Sequence, residues 1–335
     1  MKNKYTIFLP VQNGGLYVRE CIASILAQKY GDFALVVLEN ASTDGTLEWL
    51  RTVDDHRLTV CSSGLLLPIE KNWGRALTMP KNEFMTFIGH DDILDPNYLE
   101  VMNALVRRDP DAGLYFAHFR YIDGGGKKIR SCRPIAERET VTNYMSQLFA
   151  NKRDTYGTGY LYRSKDYDSV GGMPAWNGLL FADDALWMSL MKRSWNSTAR
   201  EECFAARVHK ESCGHKANWR TWVEGMQNYH KFLQGLAKED STFSDALAKH
   251  APKYFFGWAN GFYIGLMEQA NKSGRPIATG DILALKKIIN EIAPEFLPQL
   301  GFLPIDTRRR IIKHFALTRW LYKWYRRFRY GEKMD

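Results

Sequence analysis

The feature that most constrains this chain is a short apolar run that stops at acids. Phe84 to Ile88 reads as a buried strand, and it ends abruptly in Gly89-His90-Asp91-Asp92 ahead of Asp95-Pro96, a helix-start signal. Two adjacent carboxylates therefore stand at the carboxyl end of a core strand. In open α/β sheets this edge is where ligands bind, and hard oxygen donors there suit a divalent cation that holds phosphates. A loop in which one Asp merely caps the helix has the same local sequence, so the rest of the chain has to decide.

Upstream, Tyr5 to Leu9 is predicted as a first strand, followed by a loop at Gln12-Asn13-Gly14-Gly15 and a helix with Val18, Ile22, Ile25 and Leu26 at helical spacing. Phe33 to Leu38 is a second apolar strand. It ends in Glu39-Asn40-Ala41-Ser42-Thr43-Asp44-Gly45, with Ser42 or Thr43 as the expected cap of the helix that follows. Leu58 to Cys61 supplies a third strand, and Asn72 to Thr78 a helix before the run at Phe84. Strands alternating with helices predict a largely parallel sheet covered on both faces. Gly113 to Phe119 continues the pattern, a turn is expected at Gly124 to Lys128, and Thr158 to Tyr162 reads as a short strand. Beyond about Ala217 only helical periodicity remains, in Trp219 to Leu236, Ser244 to Met267 and Gly280 to Ile292. The expected organisation is an α/β domain over 1–215, a helical region over 216–305 and a basic tail helix over 306–335.

The net charge of +9 could indicate nucleic acid, an anionic membrane or phosphorylated substrates as partners. Its location narrows the choice. Arg308 to Lys333 holds ten Lys/Arg and one acid, which equals the whole net charge, and the rest of the chain is balanced. Within that tail Ile312, Phe315, Trp320, Leu321, Trp324 and Phe328 recur at helical spacing among the cations. Aromatics interleaved with cations suit an anionic membrane surface, and the apolar content argues against a nucleic-acid arm. A helix docked on its own domain is the alternative. Five cysteines, Cys21, Cys61, Cys132, Cys203 and Cys213, form no C-x-x-C pair, which favours a reducing compartment without structural zinc. No secretory apolar region and no membrane-spanning run is present, so the expectation is a cytoplasmic protein held peripherally at the inner face of the membrane.

Acidic stations recur at Glu39-Asn40, Asp91-Asp92 and Asp183-Asp184. With LPVQNGGLYVRECIASILAQ, VVLENASTDGTLEWL, FIGHDDILDP, VGGMP and FADDALWMSL in this order, the chain resembles the family 2 inverting glycosyltransferases of GT-A fold, over residues 4–215. The resemblance implies a Rossmann-like, mostly parallel sheet and a nucleoside diphosphate sugar donor, with UDP the expected nucleotide. It implies nucleotide-sugar binding by Pro10, Gln12, Asn13, Glu39, Asn40, Lys71, Arg75, His90, Asp91 and Asp92. Asp91 matches the metal-binding Asp of the family, Mn²⁺ or Mg²⁺ is the implied cofactor, and His209 matches a late His near the metal.

The implied catalytic base is the Asp ahead of the Leu186-Trp187 pair. Asp183 continues the stripe of Leu186, Trp187 and Leu190, whereas Asp184 sits about 100° further round, where a solvated helix-start acid is expected. Asp183 is therefore preferred, with Asp184 as the second candidate. The sequence departs from the family at Gly89, Asn40, Gln12 and Ala182. Two function classes follow: an inverting, metal-dependent hexosyltransferase acting on a lipid-linked glycan in surface-polysaccharide assembly, or a catalytically impaired glycan- or partner-binding module with the same fold.

Overall fold

The computed structural model describes residues 4–209, 218–273 and 279–294. Two compact units are present, Met1–Leu236 and Ala237–Asp335. The expected tail helix over 306–335 and Cys213 lie outside the described residues.

The first unit is built on strands β1 (Tyr5–Val11), β2 (Phe33–Glu39), β3 (Leu58–Ser62), β4 (Phe84–Phe87), β5 (Ile93–Leu94), β6 (Leu114–Ile122), β7 (Lys128–Ser131), β8 (Arg138–Glu139), β9 (Leu161–Arg163) and β10 (Asn196–Arg207). They form one sheet in the order β3-β2-β1-β4-β9-β6-β10-β5, with β7 on the flank of β6 and β8 on β10. β3, β2, β1 and β4 run parallel, as do β6 and β10, while β9 joins the two halves antiparallel to both its neighbours. Every residue of β1 is buried, as expected for an apolar run at the centre of a sheet covered on both sides. Helix α1 (Gly15–Leu26) turns Val18, Cys21, Ile22 and Ile25 inward, the stripe that the sequence spacing predicts.

Several local expectations shift. The helix expected from Asn72 begins earlier, as α3 (Ile69–Gly74), and tightens into a 3₁₀ turn at Arg75–Leu77. The strand expected at Thr158 begins only at Leu161, because Gly159 takes φ +80°. Neither Ser42 nor Thr43 caps α2 (Thr46–Leu50). Gly45 stands there at φ +85°, and the Asp44 carboxylate accepts the amides of Thr46 and Gly15, each at 3.0 Å, which ties the loops after β1 and β2 together.

Further on come α4 (Tyr98–Arg108), α5 (Val141–Phe149), α6 (Ser164–Ser169) and α7 (Ala182–Met191). Asp95, just before α4, holds Arg120 of β6 through two bonds of 2.6 and 2.7 Å. Fork-to-fork pairs of this kind fix orientation as well as distance. The helix Trp219–Ala237 packs its N-terminal part on the loop before α7, where the Tyr229 ring stacks on Phe181 at 5.2 Å. In the second unit the helix Ser241–Ser273 buries Phe243, Leu247, Ala251, Phe255, Ala259 and Tyr263, a residue every fourth position, and the helix Thr279–Ile292 buries Leu285, Ile288, Ile289 and Ile292. No described helix is long and apolar enough to cross a membrane.

The join between β6 and α7 is tight enough to test. A Cβ on Gly113 would lie 2.1 Å from the Leu190 carbonyl oxygen, a backbone atom that cannot swing aside. Gly113→Ala is expected to destabilise the chain by about 2 kcal/mol or more. Gly74→Ala, whose Cβ meets nothing within 4 Å, should change stability by less than about 1 kcal/mol. Thermal unfolding of the two variants beside wild type measures both.

Candidate active site

The loop after β4 places two neighbouring acids in opposite surroundings. Asp92 is buried and accepts three hydrogen bonds: from the Arg207 amide at 3.0 Å, the Thr158 hydroxyl at 2.8 Å and the Tyr156 hydroxyl at 3.1 Å. Burial and the charge of Asp91 push its carboxyl well above the usual range. Asp91 is only half-buried, and its Oδ2 lies 2.7 Å from Nε2 of His209. Burial opposes its ionisation, but the His209 bond and the nearby His90 ring hold the Asp91 carboxyl below its ordinary value. Burial also pulls the His90 imidazole down, which favours its neutral form. Position 89 has no room for a side chain: a Cβ there would meet Asp92 Oδ2 at 2.7 Å and Asp91 Oδ1 at 2.9 Å. Gly89 is thus the residue this arrangement of acids requires.

Arg207 supports the loop from behind. It is buried, its Nε donates to the Asp91 carbonyl at 2.7 Å, and its other nitrogens reach the Gly124 carbonyl at 3.1 Å and Glu20 at 2.6 Å. Its guanidinium lies over the Tyr17 ring at 4.6 Å, and that ring faces His209 at 5.1 Å. With the Asp91 backbone held by Arg207, the Asp91 side chain and His209 face each other.

On the nucleotide side several expected contacts are already committed to the protein. Glu39 is buried, accepting the Ser42 amide at 2.6 Å and the Ser62 hydroxyl at 2.7 Å, so it shapes the turn after β2. Asn40 exchanges two bonds of 2.9 Å with the backbone of Leu67, which uses the amide expected to meet a base edge. Arg75 donates to the carbonyls of Glu39 and Cys61 and to Asn72, so it bridges β2, β3 and α3 and is not an open cation. Asp92 joins this group as an internal anchor. Gln12, Asn13 and Lys71 remain exposed, Asn13 at φ +52° with its side chain accepting the Thr43 amide at 2.8 Å. Pro10 is buried within β1. An open cavity of about 340 Å³ lies between α3 and the Gly171-Gly172 turn, with Lys71, Tyr167 and Met173 in its walls.

The second acid pair opens α7. Phe181 precedes it at φ +63°, a conformation that strains a bulky side chain and is held here by the Tyr229 stack. The expectation that Asp184 is solvated fails. It is buried, and its Oδ1 accepts Tyr144 at 2.7 Å and Thr155 at 3.2 Å, because α5 and the segment before β9 cover that face of the helix. Asp183 is half-buried, and among the described residues no side chain donates to its carboxylate. Burial, then the Asp184 charge, raise its carboxyl to about 7. A half-buried carboxyl that titrates at about 7 and has no side-chain donor suits a general base. Gly157 faces it, since a Cβ there would lie 3.1 Å from Asp183 Oδ2.

Tyr144, Thr155, Tyr156, Thr158 and Arg207 were not singled out in the sequence. Arg207 alone carries a local signal, a cation closing the apolar run Phe204-Ala205-Ala206 just before His209.

Among the described residues no group of three or more His, Cys, Asp and Glu converges as a ready metal cage. The Asp91 carboxylate is, however, a hard oxygen donor that fits Mn²⁺ or Mg²⁺ when substrate phosphates complete the shell, and Nε2 of His209, 2.7 Å from it, is the nearest nitrogen donor, better suited to Mn²⁺ than to Mg²⁺.

Residues 6–171 match the model of the family described as glycosyl transferase family 2. An uncharacterized glycosyltransferase of Rickettsia felis is 30% identical over 175 residues, 50% of this chain and 28% of that protein. Glycosyltransferase GlyA of Streptococcus pneumoniae is 31% identical over 103 residues, 30% of this chain and 14% of that one. The chain spans less than a third of the length of the first curated relatives it matches. The crystal structure of S. aureus TarS 1–349 aligns with a TM-score of 0.63 at 18% identity, covering 99% of this chain and 93% of that one. The mannosyltransferase PcManGT from Pyrobaculum calidifontis, in complex with GDP-Man and Mn²⁺, aligns at 0.54 and 17% identity, covering 91% and 86%. TarS 1–349 is also known in complex with UDP-GlcNAc and with UDP. At these identities the structural likeness is one of fold.

The raised Asp183 carboxyl has a stability signature. Its proton is released near pH 4 in the unfolded chain and near 7 in the folded one, so stability falls as pH rises between the two. Asp183→Asn removes that penalty. The variant should match wild type in unfolding temperature at pH 4 and exceed it at pH 8; a difference independent of pH would contradict the assignment.

Proposed function

From the premise that residues 6–171 form a glycosyl transferase family 2 domain of GT-A fold, we propose that this chain is an inverting hexosyltransferase. In this reading it transfers a sugar from a UDP-sugar to a hydroxyl of a lipid-linked glycan during bacterial surface-polysaccharide assembly, O-antigen or capsule. The observation that carries the reading is the contrast between the two acids of α7: Asp184 is buried and held by the Tyr144 and Thr155 hydroxyls, whereas Asp183 is half-buried, has no side-chain donor among the described residues and has its carboxyl raised to about 7.

Asp183 takes the proton of the acceptor hydroxyl as its oxygen attacks the anomeric carbon. The bond from that carbon to the diphosphate breaks on the opposite face, and the nucleoside diphosphate leaves. Asp91 and His209 would hold a Mn²⁺ or Mg²⁺ ion at the diphosphate, and such an ion, when bound, supplies neutralisation of the leaving-group charge. Arg207 keeps the Asp91 backbone in place, and Lys71 is the exposed cation available to the phosphates. UDP is favoured as the nucleotide by the UDP and UDP-GlcNAc complexes of a protein of the same fold. The lipid-linked acceptor and the inner membrane face are supported by the basic, aromatic stretch Arg308 to Lys333.

With a panel of UDP-sugars and Mn²⁺, Asp183→Asn should lower turnover by about a hundredfold or more while leaving nucleotide binding unchanged. Asp91→Ala should weaken both metal dependence and UDP binding. Full activity in both variants would refute the roles, and a wild type that binds glycan without any turnover would favour the binding-module class.

A further inference from the structure

The segment Thr155 to Gly159 ties both acid pairs together. Thr155 donates to Asp184 at 3.2 Å, and the Tyr156 carbonyl accepts the Trp187 indole at 3.3 Å, so its first half is fastened to α7. The Tyr156 and Thr158 hydroxyls reach Asp92 at 3.1 and 2.8 Å, and the Gly159 amide donates to the Phe87 carbonyl at 3.0 Å, so its second half is fastened to the end of β4. Gly157 is the one residue between these anchors with no side chain. It is half-buried, its φ lies outside the left-handed range, and nothing in its backbone demands glycine. What a side chain there would meet is the Asp183 carboxylate, at 3.1 Å from Oδ2 and 3.9 Å from Cγ.

We propose that Gly157 is a specificity-determining position that admits the acceptor: fixed in place by Tyr156 and Thr158, it leaves Oδ2 of Asp183 open to an incoming hydroxyl, and any side chain there closes that approach. Because the segment is anchored on both sides, at Asp184 and at Asp92, the close contact of a new Cβ falls on the Asp183 carboxylate, which must give way by a few tenths of an ångström. Closure at Gly157 therefore acts on the acceptor and leaves the Asp91 side of the site unchanged. The proposal rests on the reading of Asp183 as the base.

The experiment compares the full chain with Gly157→Ala and Gly157→Ser. Carboxylates are labelled with a water-soluble carbodiimide and glycinamide, and each site is read by peptide mass spectrometry. Labelling of Asp183 should fall severalfold in both variants while exposed Asp54 labels as in wild type. Nucleotide release from the UDP-sugar that wild type turns over fastest should fall about tenfold or more, with UDP affinity unchanged. Wild-type labelling of Asp183 in a folded variant overturns the proposal. Asp183→Asn in the same release assay separates it from the reading it rests on. Survival of release in Asp183→Asn refutes the base itself. Loss of release there, with wild-type labelling and release in both Gly157 variants, leaves the base standing and removes the role of Gly157. Should Gly157→Ala fail to fold, its combination with Asp183→Ala reports the same contact: recovered folding supports the proposal, and no recovery overturns it.

Discussion

The candidate site depends on how one buried carboxylate is satisfied. Asp92 receives the Arg207 amide from β10 and the Tyr156 and Thr158 hydroxyls from the segment before β9. A buried acid left unpaired is costly, whereas one with several good donors becomes a rigid junction. Here the junction joins the end of β4, the end of β10 and the segment that also reaches α7. Asp91, next in the chain, inherits its position from that junction and from the Arg207 bond to its carbonyl. The side chain of Asp91 is then left to meet His209.

The same division of labour recurs at α7. Asp184 is held by Tyr144 and Thr155, and Asp183 is left without a side-chain donor. Two adjacent carboxyls in such different environments take different work, one structural and one chemical. The strained Phe181 sets where α7 begins and so which acid of the pair faces outward. Conserving space beside Asp183 falls to Gly157, whose neighbours are fastened on both sides.

Much of the frame was legible in the sequence, because strand and helix periods are local. The apolar runs at Tyr5, Phe33 and Phe84 became parallel neighbours, and Val18, Ile22 and Ile25 form the buried stripe of α1. The resemblance brings Asp91 and Asp183 forward, and the structure places them as half-buried acids, one in the loop after β4 and one at the start of α7. What could not be read was which polar residues the protein uses on itself. Glu39, Asn40 and Arg75 look like ligand contacts in the linear sequence, yet their partners are backbone and side-chain groups on β2, β3, α3 and the loops beside them. Arg207 pairs with Glu20, 187 positions away, a separation no local pattern encodes. Asp184 was misread for the same reason, since α5 covers it from more than thirty residues upstream: Tyr144 lies 40 positions away.

A crystal structure with UDP and Mn²⁺ tests most directly the claim that Asp91 anchors the diphosphate while Asp183 is kept for the acceptor. The expected result is an anomalous manganese peak bound to Asp91 and the diphosphate oxygens, with His209 at the ion and the Asp183 carboxylate free of both metal and nucleotide. A diphosphate bound away from Asp91, or manganese held by Asp183, would contradict it.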